Sequence, residues 1–297
     1  MKLINPSVEL ITQTPGLEGI YKQVERVGRV CYKSEDKITE DSAKPFVERM
    51  IKSQHLAMLE HGTVYLAAPY NNEDLIFWKV ANSPYSKGVC DDKSNLLCFT
   101  TNLRVIAELN AWEVIDKYLC EPTESHAKRI CLKFITSIGV SREFNRHRTA
   151  SIAEQSTRYC NYTKDKFNNE LTFIKPAWLN IPTGHYAYWD GDWCDVNEMK
   201  IQLPGEEHKD IDAFLWTLED AEREYTLLIN KGWQPQQARE VLPLATATEV
   251  VYTAFEDDWR HFFDLRYRGT TGLPHPNAQQ VASMAHDLII KELGKDL

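Results

Sequence analysis

The sequence predicts an α+β protein, and three observations carry that reading. Several segments place apolar residues every three or four positions, the spacing of an amphipathic helix. Others are short runs rich in β-branched and aromatic residues, as strands require. The two kinds do not alternate in a strict βαβ rhythm, which disfavours a doubly wound parallel sheet.

Along the chain, GLEGIYKQVERVGR (16–29) and DSAKPFVERMIKSQ (41–54) read as amphipathic helices. HGTVYLAA (61–68) reads as a strand. Residues 101–139 read as mostly helical, with a break at Glu121-Pro122. SIGVSREFNRHR (137–148) continues as a helix or its last turn, which sets the RHR group near a helix C-terminus. ELTFIKP (170–176) is a strand stopped by proline. Aromatics among turn residues (HYAYWDGDWCD) make 180–204 a surface excursion. GEEHKDIDAFLWTLEDAEREYTLLINKG (205–232) has a helix's acidic start, apolar stripe and Lys-Gly end. ATEVVYTAF (247–255) is β-rich, and EDDWRHFFDLR (256–266) opens with acids, as a helix N-terminus prefers. Residues 276–297 close the chain as a helix.

The 297 residues are ample for a sizeable core. The formal net charge of −9 repels nucleic acid and anionic membranes, so an anion must be captured by local arginine geometry. The first residues hold no apolar signal region, and no apolar run reaches membrane-spanning length. Seven scattered cysteines without a C-x-x-C pair read as free thiols of a reduced, cytoplasmic protein. Neither G-x-G-x-x-G nor a P-loop occurs, so a dinucleotide would not be held in the Rossmann way.

The densest chemistry lies in RHRTASIAEQSTRY (146–159). Arginine forks match phosphate oxygens bidentately, and serine and threonine hydroxyls complete a cradle. Glu154 repels phosphate, so it suits a ribose hydroxyl or ring N–H, or it neutralises an arginine. A solvated basic patch is the plain alternative. Tyr159, Tyr162 and Phe167 among cations would stack bases, but the net charge favours a single nucleotide. In EDDWRHFFDLR, Trp259, Phe262, Phe263 and Arg266 share one helix face, and a buried guanidinium needs an acceptor. A structural Arg–carboxylate pair is the plain reading of Arg266, and a surface position that of Arg239 in QQAREVLP. In HLAMLEH (55–61), His55 and His61 fall on opposite helix sides, unlike a zinc-binding H-E-x-x-H. Basic neighbours would lower the pKa of Cys160 and favour it as a nucleophile, against the simpler role of a half-buried small residue.

These residues resemble the flavin-dependent thymidylate synthase family, whose signature reads R-H-R-x-x-S-x-N-E-x-S-x-R. Arg146, His147, Arg148, Ser151, Glu154, Ser156 and Arg158 match it, and Ala153 replaces its asparagine. HLAMLEH, AREVLP and WRHFFDLR resemble further family segments, in order. The resemblance implies an α+β fold of mixed helices on a mainly antiparallel sheet, forming one domain over 1–297 and assembled as a homotetramer with shared sites. Against shorter members, about 70–138 looks like an insertion. The activity implied is methylation of dUMP to dTMP, with 5,10-methylenetetrahydrofolate as carbon donor and NADPH reducing FAD. By analogy, Arg146, Glu154, Gln155, Ser156, Thr157, Arg158, Arg239 and Arg266 would contact dUMP. Arg146, His147, Arg148, Glu154, His261, His55 and Glu60 would contact FAD. Arg266 would carry the catalytic role, polarising the uracil so that its C5 carbon gains electron density. Two other readings compete: a related enzyme that adds a hydroxymethyl group, and a non-enzymatic nucleotide- or RNA-binding module.

Overall fold

The computed structural model describes residues 1–189, 192–195 and 209–297. The chain opens with β1 (Lys2–Ile4), β2 (Ser7–Ile11), α1 (Gly16–Val30) and α2 (Ala43–Lys52). A 3₁₀ turn (Leu56–His61) leads into β3 (Thr63–Pro69), α3 (Leu75–Ala81), β4 (Lys87–Asp91) and β5 (Leu96–Asn102). Then follow α4 (Leu103–Glu108), α5 (Trp112–Tyr118), β6 (Arg129–Ser137), α6 (Ile138–Phe144) and β7 (Ser151–Glu154). β8 (Thr172–Ile174), β9 (Gly184–Trp189) and β10 (Asp192–Asp195) precede α7 (Lys209–Asn230) and α8 (Pro235–Ala238). β11 (Ala247–Phe255), α9 (Glu256–Phe263) and α10 (Pro276–Leu293) end the chain.

The strands form three sheets, ordered β10-β9-β1-β8, β2-β6-β11-β7 and β3-β5-β4. Pairing is antiparallel except between β1 and β8. The α+β class is therefore as expected. In the second sheet, β6 and β11 pair over nine residues, from Ala247↔Ser137 to Phe255↔Arg129. One face of this sheet carries Leu132, Phe134, Val250 and Tyr252 against α6, α9 and α10. The other carries Cys131, Ala153 and Val251 against Val27 and Val30 of α1. Phe134 anchors the first face, its ring 5.5 Å from that of Phe144 and 5.8 Å from that of Tyr252. Full burial of such a ring contributes roughly 1.5–3 kcal/mol.

Two secondary-structure expectations are corrected, the helix in 101–139 and the surface excursion. Helix in 101–139 is confined to α4 and α5, and 129–137 is the strand β6. A strand covered on both faces loses polar alternation, so its apolar run imitates a helix. The expected insertion of about 70–138 takes in α3 through β6, and β6 lies inside the main sheet. The aromatic stretch expected as a surface excursion is instead a hairpin, with Tyr188 opposite Trp193. Tyr186 and Trp193 are buried in the core over β1 and α7. The rest of that excursion, 196–204, and the start of the next expected helix, 205–208, lie outside the described residues.

Arg129 ties the third sheet to the second. Its Nη1 donates to the Glu60 carbonyl at 2.9 Å and to Thr63 Oγ1 at 3.4 Å, and its Nη2 to Ser151 Oγ at 3.1 Å. Burial pulls its pKa down to about 10, so it remains a cation at neutral pH.

Ala153, the departure from the signature, faces the apolar α1 side and is 1% exposed. An asparagine there would add volume and bury an amide without partners. We expect Ala153→Asn to lower stability by about 2–4 kcal/mol, read as the urea midpoint. Unchanged stability would show that the position opens to solvent or ligand.

Candidate functional site

The signature folds as a turn after α6, a short edge strand and a second turn. Ser137 Oγ accepts from Val140 N at 3.3 Å and so caps α6. The RHR group follows the helix C-terminus, as expected, in a turn held by Tyr252 Oη donating to Asn145 Oδ1 at 2.5 Å. β7 then pairs with β11, Glu154 opposite Val250 and Ala153 opposite Val251. Glu154 consequently faces α6, where its Oε1 accepts from Ser141 Oγ at 2.7 Å and from Thr248 Oγ1 at 3.1 Å. It makes no ion pair with an arginine among the described residues, so it does not serve as a counter-charge. Both recorded bonds fall on one oxygen, which leaves Oε2 as an acceptor.

Beyond β7, residues 155–158 turn across the sheet edge. Gln155 N donates to the Glu249 carbonyl at 2.8 Å and Ser156 N to the Cys31 carbonyl at 2.9 Å. Ser156 Oγ accepts from Arg158 N at 3.3 Å, a local turn bond that gives it no base to act as a nucleophile. Glu154, Gln155, Ser156, Thr157, Arg158 and Arg239 line one cavity of about 480 Å³, together with Arg142. Small-molecule sites occupy roughly 300–1,000 Å³. Arg239 sits in a 3₁₀ turn after α8, which brings its Nη1 to 3.2 Å from Thr157 Oγ1. It is therefore a cavity residue rather than an ordinary surface arginine. Three guanidiniums, two hydroxyls and two carboxylates thus line the cavity, the exposed Glu240 lying 3.7 Å from Arg239 Nε at its rim, a set suited to a phosphate at one end and a polar ring or sugar at the other.

Arg266 does not line this cavity. The helix expected over 256–266 is α-helical only to Phe263, and Asp264–Arg268 forms a π-turn. Trp259, Phe262 and Phe263 are buried as the spacing predicts, whereas 20% of the Arg266 side chain is exposed. Its Nη1 lies 3.2 Å from Glu143 Oε2, its Nη2 donates to the Glu143 carbonyl at 2.8 Å, and its Nε donates to His147 Nε2 at 3.1 Å. The Arg–carboxylate pair is thus present, with a histidine added. The His147 ring stands 4.9 Å from Phe262 and 5.8 Å from His261. Burial, then the Arg266 and His261 charges, push its pKa down to about 4. A neutral ring is what accepts the Arg266 N–H. The Arg146 and Arg148 side chains are exposed beside this cluster, with no carboxylate partner among the described residues.

His55 and Glu60 lie apart from both places, at the turn before β3. His55 is exposed. The Glu60 carboxylate meets Arg104 Nη1 at 2.5 Å. Cys160 is fully buried, and burial raises its pKa despite Lys166 and Lys33, so the expected lowering by basic neighbours is overturned. Sequence reasoning missed Arg142 and Glu143. Both lie on α6 one turn before Arg146, a proximity that could have marked them.

His61 is buried with Nδ1 2.8 Å from Thr253 Oγ1, and its pKa is pushed down to about 3 by burial and the Arg129 charge. Both His61 and His147 therefore protonate more readily in the unfolded chain. Their stabilisation is full above pH 6.5 and is lost as pH falls toward the folded values. Melting temperature should drop between about pH 6.5 and 5, before most carboxylates titrate. A flat profile over that window would show that neither ring is held neutral.

The profile of the thymidylate synthase complementing protein family matches residues 108–293. A flavin-dependent thymidylate synthase of Haloarcula marismortui is 30% identical over 133 residues, covering 43% of this chain and 51% of that protein. Another, of Pyrococcus furiosus, is 29% identical over 121 residues, covering 41% and 38%. The chain therefore spans about half or less of the curated relatives it matches. A solved structure of the UMP/dUMP methylase PolB from Streptomyces cacaoi, bound with 5-Br dUMP, is 17% identical, with a TM-score of 0.44 over 98% of this chain and 93% of that one. With the family profile covering most of its length, this chain belongs to the thymidylate synthase complementing protein family.

Proposed function

We propose that the chain is a flavin-dependent thymidylate synthase that methylates dUMP to dTMP, with 5,10-methylenetetrahydrofolate as carbon donor and NADPH as reductant. The observation that carries this reading is the convergence of Arg142, Arg158, Arg239, Ser156 and Thr157 around Glu154 in one cavity. The three guanidiniums hold the nucleotide phosphate, with the hydroxyls as additional donors. Glu154 Oε2 accepts from a ribose hydroxyl or ring N–H, its other oxygen being fixed by Ser141 and Thr248.

Arg266 has its role at the uracil. A guanidinium beside the pyrimidine oxygens stabilises negative charge in the ring and so raises electron density at C5. Arginine keeps its charge on a partly buried ledge where lysine would lose it. In one subunit this ledge and the phosphate cavity are separate. The reading therefore needs an oligomer in which one copy's Arg266 faces another copy's cavity, and the family resemblance makes that oligomer a homotetramer. FAD fits the exposed, uncompensated Arg146 and Arg148, which suit a diphosphate, with His147 and His261 as ring neighbours. When bound it supplies the hydride that completes the methyl group. His55 and Glu60 are weaker candidates for it, since Glu60 is already paired with Arg104. Among the described residues no helix is long and apolar enough to cross a membrane, and the cytoplasm is the compartment that the thymidylate synthase reading implies.

Purified protein should be yellow, bleach with NADPH under anaerobic conditions, and release dTMP. Colourless protein that stays inactive with added FAD would sink the reading, and a product heavier than dTMP by one oxygen would make it a hydroxymethylating enzyme. Arg266→Ala should keep fold and flavin but lose about 10²–10³ in kcat. Near-normal turnover would leave Arg266 as only the partner of Glu143.

A further inference from the structure

Behind the 155–166 segment lies a feature that the nucleotide cavity does not use. Gln155 lines both the cavity and a recess of about 210 Å³. The recess is lined by Tyr162 and Phe167 among others, and it shares Lys33 and Lys166 with a wider groove of about 670 Å³. That groove adds Arg29, Lys37, Arg49, Tyr32 and Phe46. The three spaces therefore adjoin in a row, from the nucleotide end through an aromatic middle to a basic end.

The basic end is unusual in a chain of net charge −9. Five of its lining residues are Lys or Arg, and Asp36 is the single acid. Arg29 is neutralised by Glu25 at 2.6 Å, and Lys33 is paired with Glu249. Lys37, Arg49 and Lys166 have no carboxylate partner among the described residues. Lys166 Nζ donates to the carbonyls of Tyr32 and Lys33 at 3.0 and 3.3 Å, which fixes its position without cancelling its charge. The Arg29 and Arg49 guanidiniums stand 5.0 and 5.2 Å from the centroid of the buried Phe46 ring. That ring approaches α1 only because residue 28 is glycine: a Cβ there would lie 2.7 Å from Phe46 Cζ. An ordinary solvated basic face would carry interspersed acids and no ordered aromatic mount.

We propose that this corridor binds an extended polyanionic co-substrate, with its charged tail on Lys37, Arg49 and Lys166 and its ring end toward the nucleotide cavity. The proposal rests on the reading of that cavity as the nucleotide site. Two molecules carry such a tail: a folate with several γ-linked glutamates, and a pyridine dinucleotide with its phosphates. Each exposed charge contact is weak, so affinity must grow with the number of charges and fall with salt.

The test measures equilibrium binding to the full chain at low and high salt. Folic acid monoglutamate and pentaglutamate form one arm, NADPH and NADH the other, and dUMP is titrated in parallel. The double variant Lys37→Glu/Arg49→Glu is compared with the unaltered protein. Both residues are exposed, and a Lys37→Gln/Arg49→Gln version removes charge without reversing it. The pentaglutamate, or NADPH in the second case, should bind the unaltered protein about tenfold more tightly than its less charged counterpart. That advantage should vanish in the Glu variant and in high salt, and shrink in the Gln variant, with dUMP affinity unchanged. The arm that responds identifies the source of the anion. Equal binding of the more and less charged probes, or an advantage that survives in the Glu variant, overturns the corridor. Absence of dUMP binding by the unaltered protein overturns the nucleotide reading instead.

Discussion

The four-residue pairing of β7 with β11 is the constraint on which the site depends. Side chains alternate across a strand, so the register Val250↔Glu154 and Val251↔Ala153 sends neighbours to opposite faces. Glu154 goes to the Ser141–Thr248 side, where hydroxyls hold a carboxylate. Ala153 goes to the apolar side under α1. A slip of one residue would press a carboxylate into Val27 and Val30 and turn a methyl group toward the cavity. Burying the carboxylate costs more than the short strand's own hydrogen bonds supply, so the apolar contact with α1 enforces the register that aims Glu154.

The same sheet sets where charge is tolerated. Glu249, on the α1 side of β11, is flanked by Lys33 and by Lys133 at 2.7 Å. Desolvation opposes its ionisation, yet the two ammonium groups prevail and its pKa lies below the usual carboxylate value. Lys33 joins this pair from the end of α1, so the triad holds the α1 terminus against the sheet. The carbonyl of Cys31 receives Ser156 N from the same terminus. The 155–158 turn is therefore anchored to a helix that is itself pinned by charge and by burial.

What the sequence made legible follows from range. Helices such as α1, α7 and α9 announce themselves because their burial is one-sided and periodic. The cavity residues 154–158 were legible because their chemistry is contiguous. β6 was not, since cover on both faces erases alternation. The β9–β10 hairpin was hidden because Trp193 sits among turn residues yet is buried. The surroundings of Arg266 were out of reach, because its partners lie 119 and 123 residues away and a π-turn resets its direction. Local pattern says that a buried guanidinium needs an acceptor. Only the fold shows that Glu143 and a neutral His147 share the task.

The choice of cation differs between the cavity around Glu154 and the outer groove, and the difference has a physical reason. Screening over about 8 Å at physiological salt, with a net charge of −9, rules out long-range attraction as the means of gathering anions. Capture must be short-range. The cavity around Glu154 is lined by three arginines and no lysine, and planar forks discriminate a phosphate from other anions by geometry. The outer groove mixes three lysines with two arginines. Ammonium groups are compact point charges on flexible stems, so they accept negative groups at variable spacing. On the proposed reading, selectivity is thus concentrated where one defined phosphate must be placed against a reacting ring, and tolerance where a tail needs only to be retained.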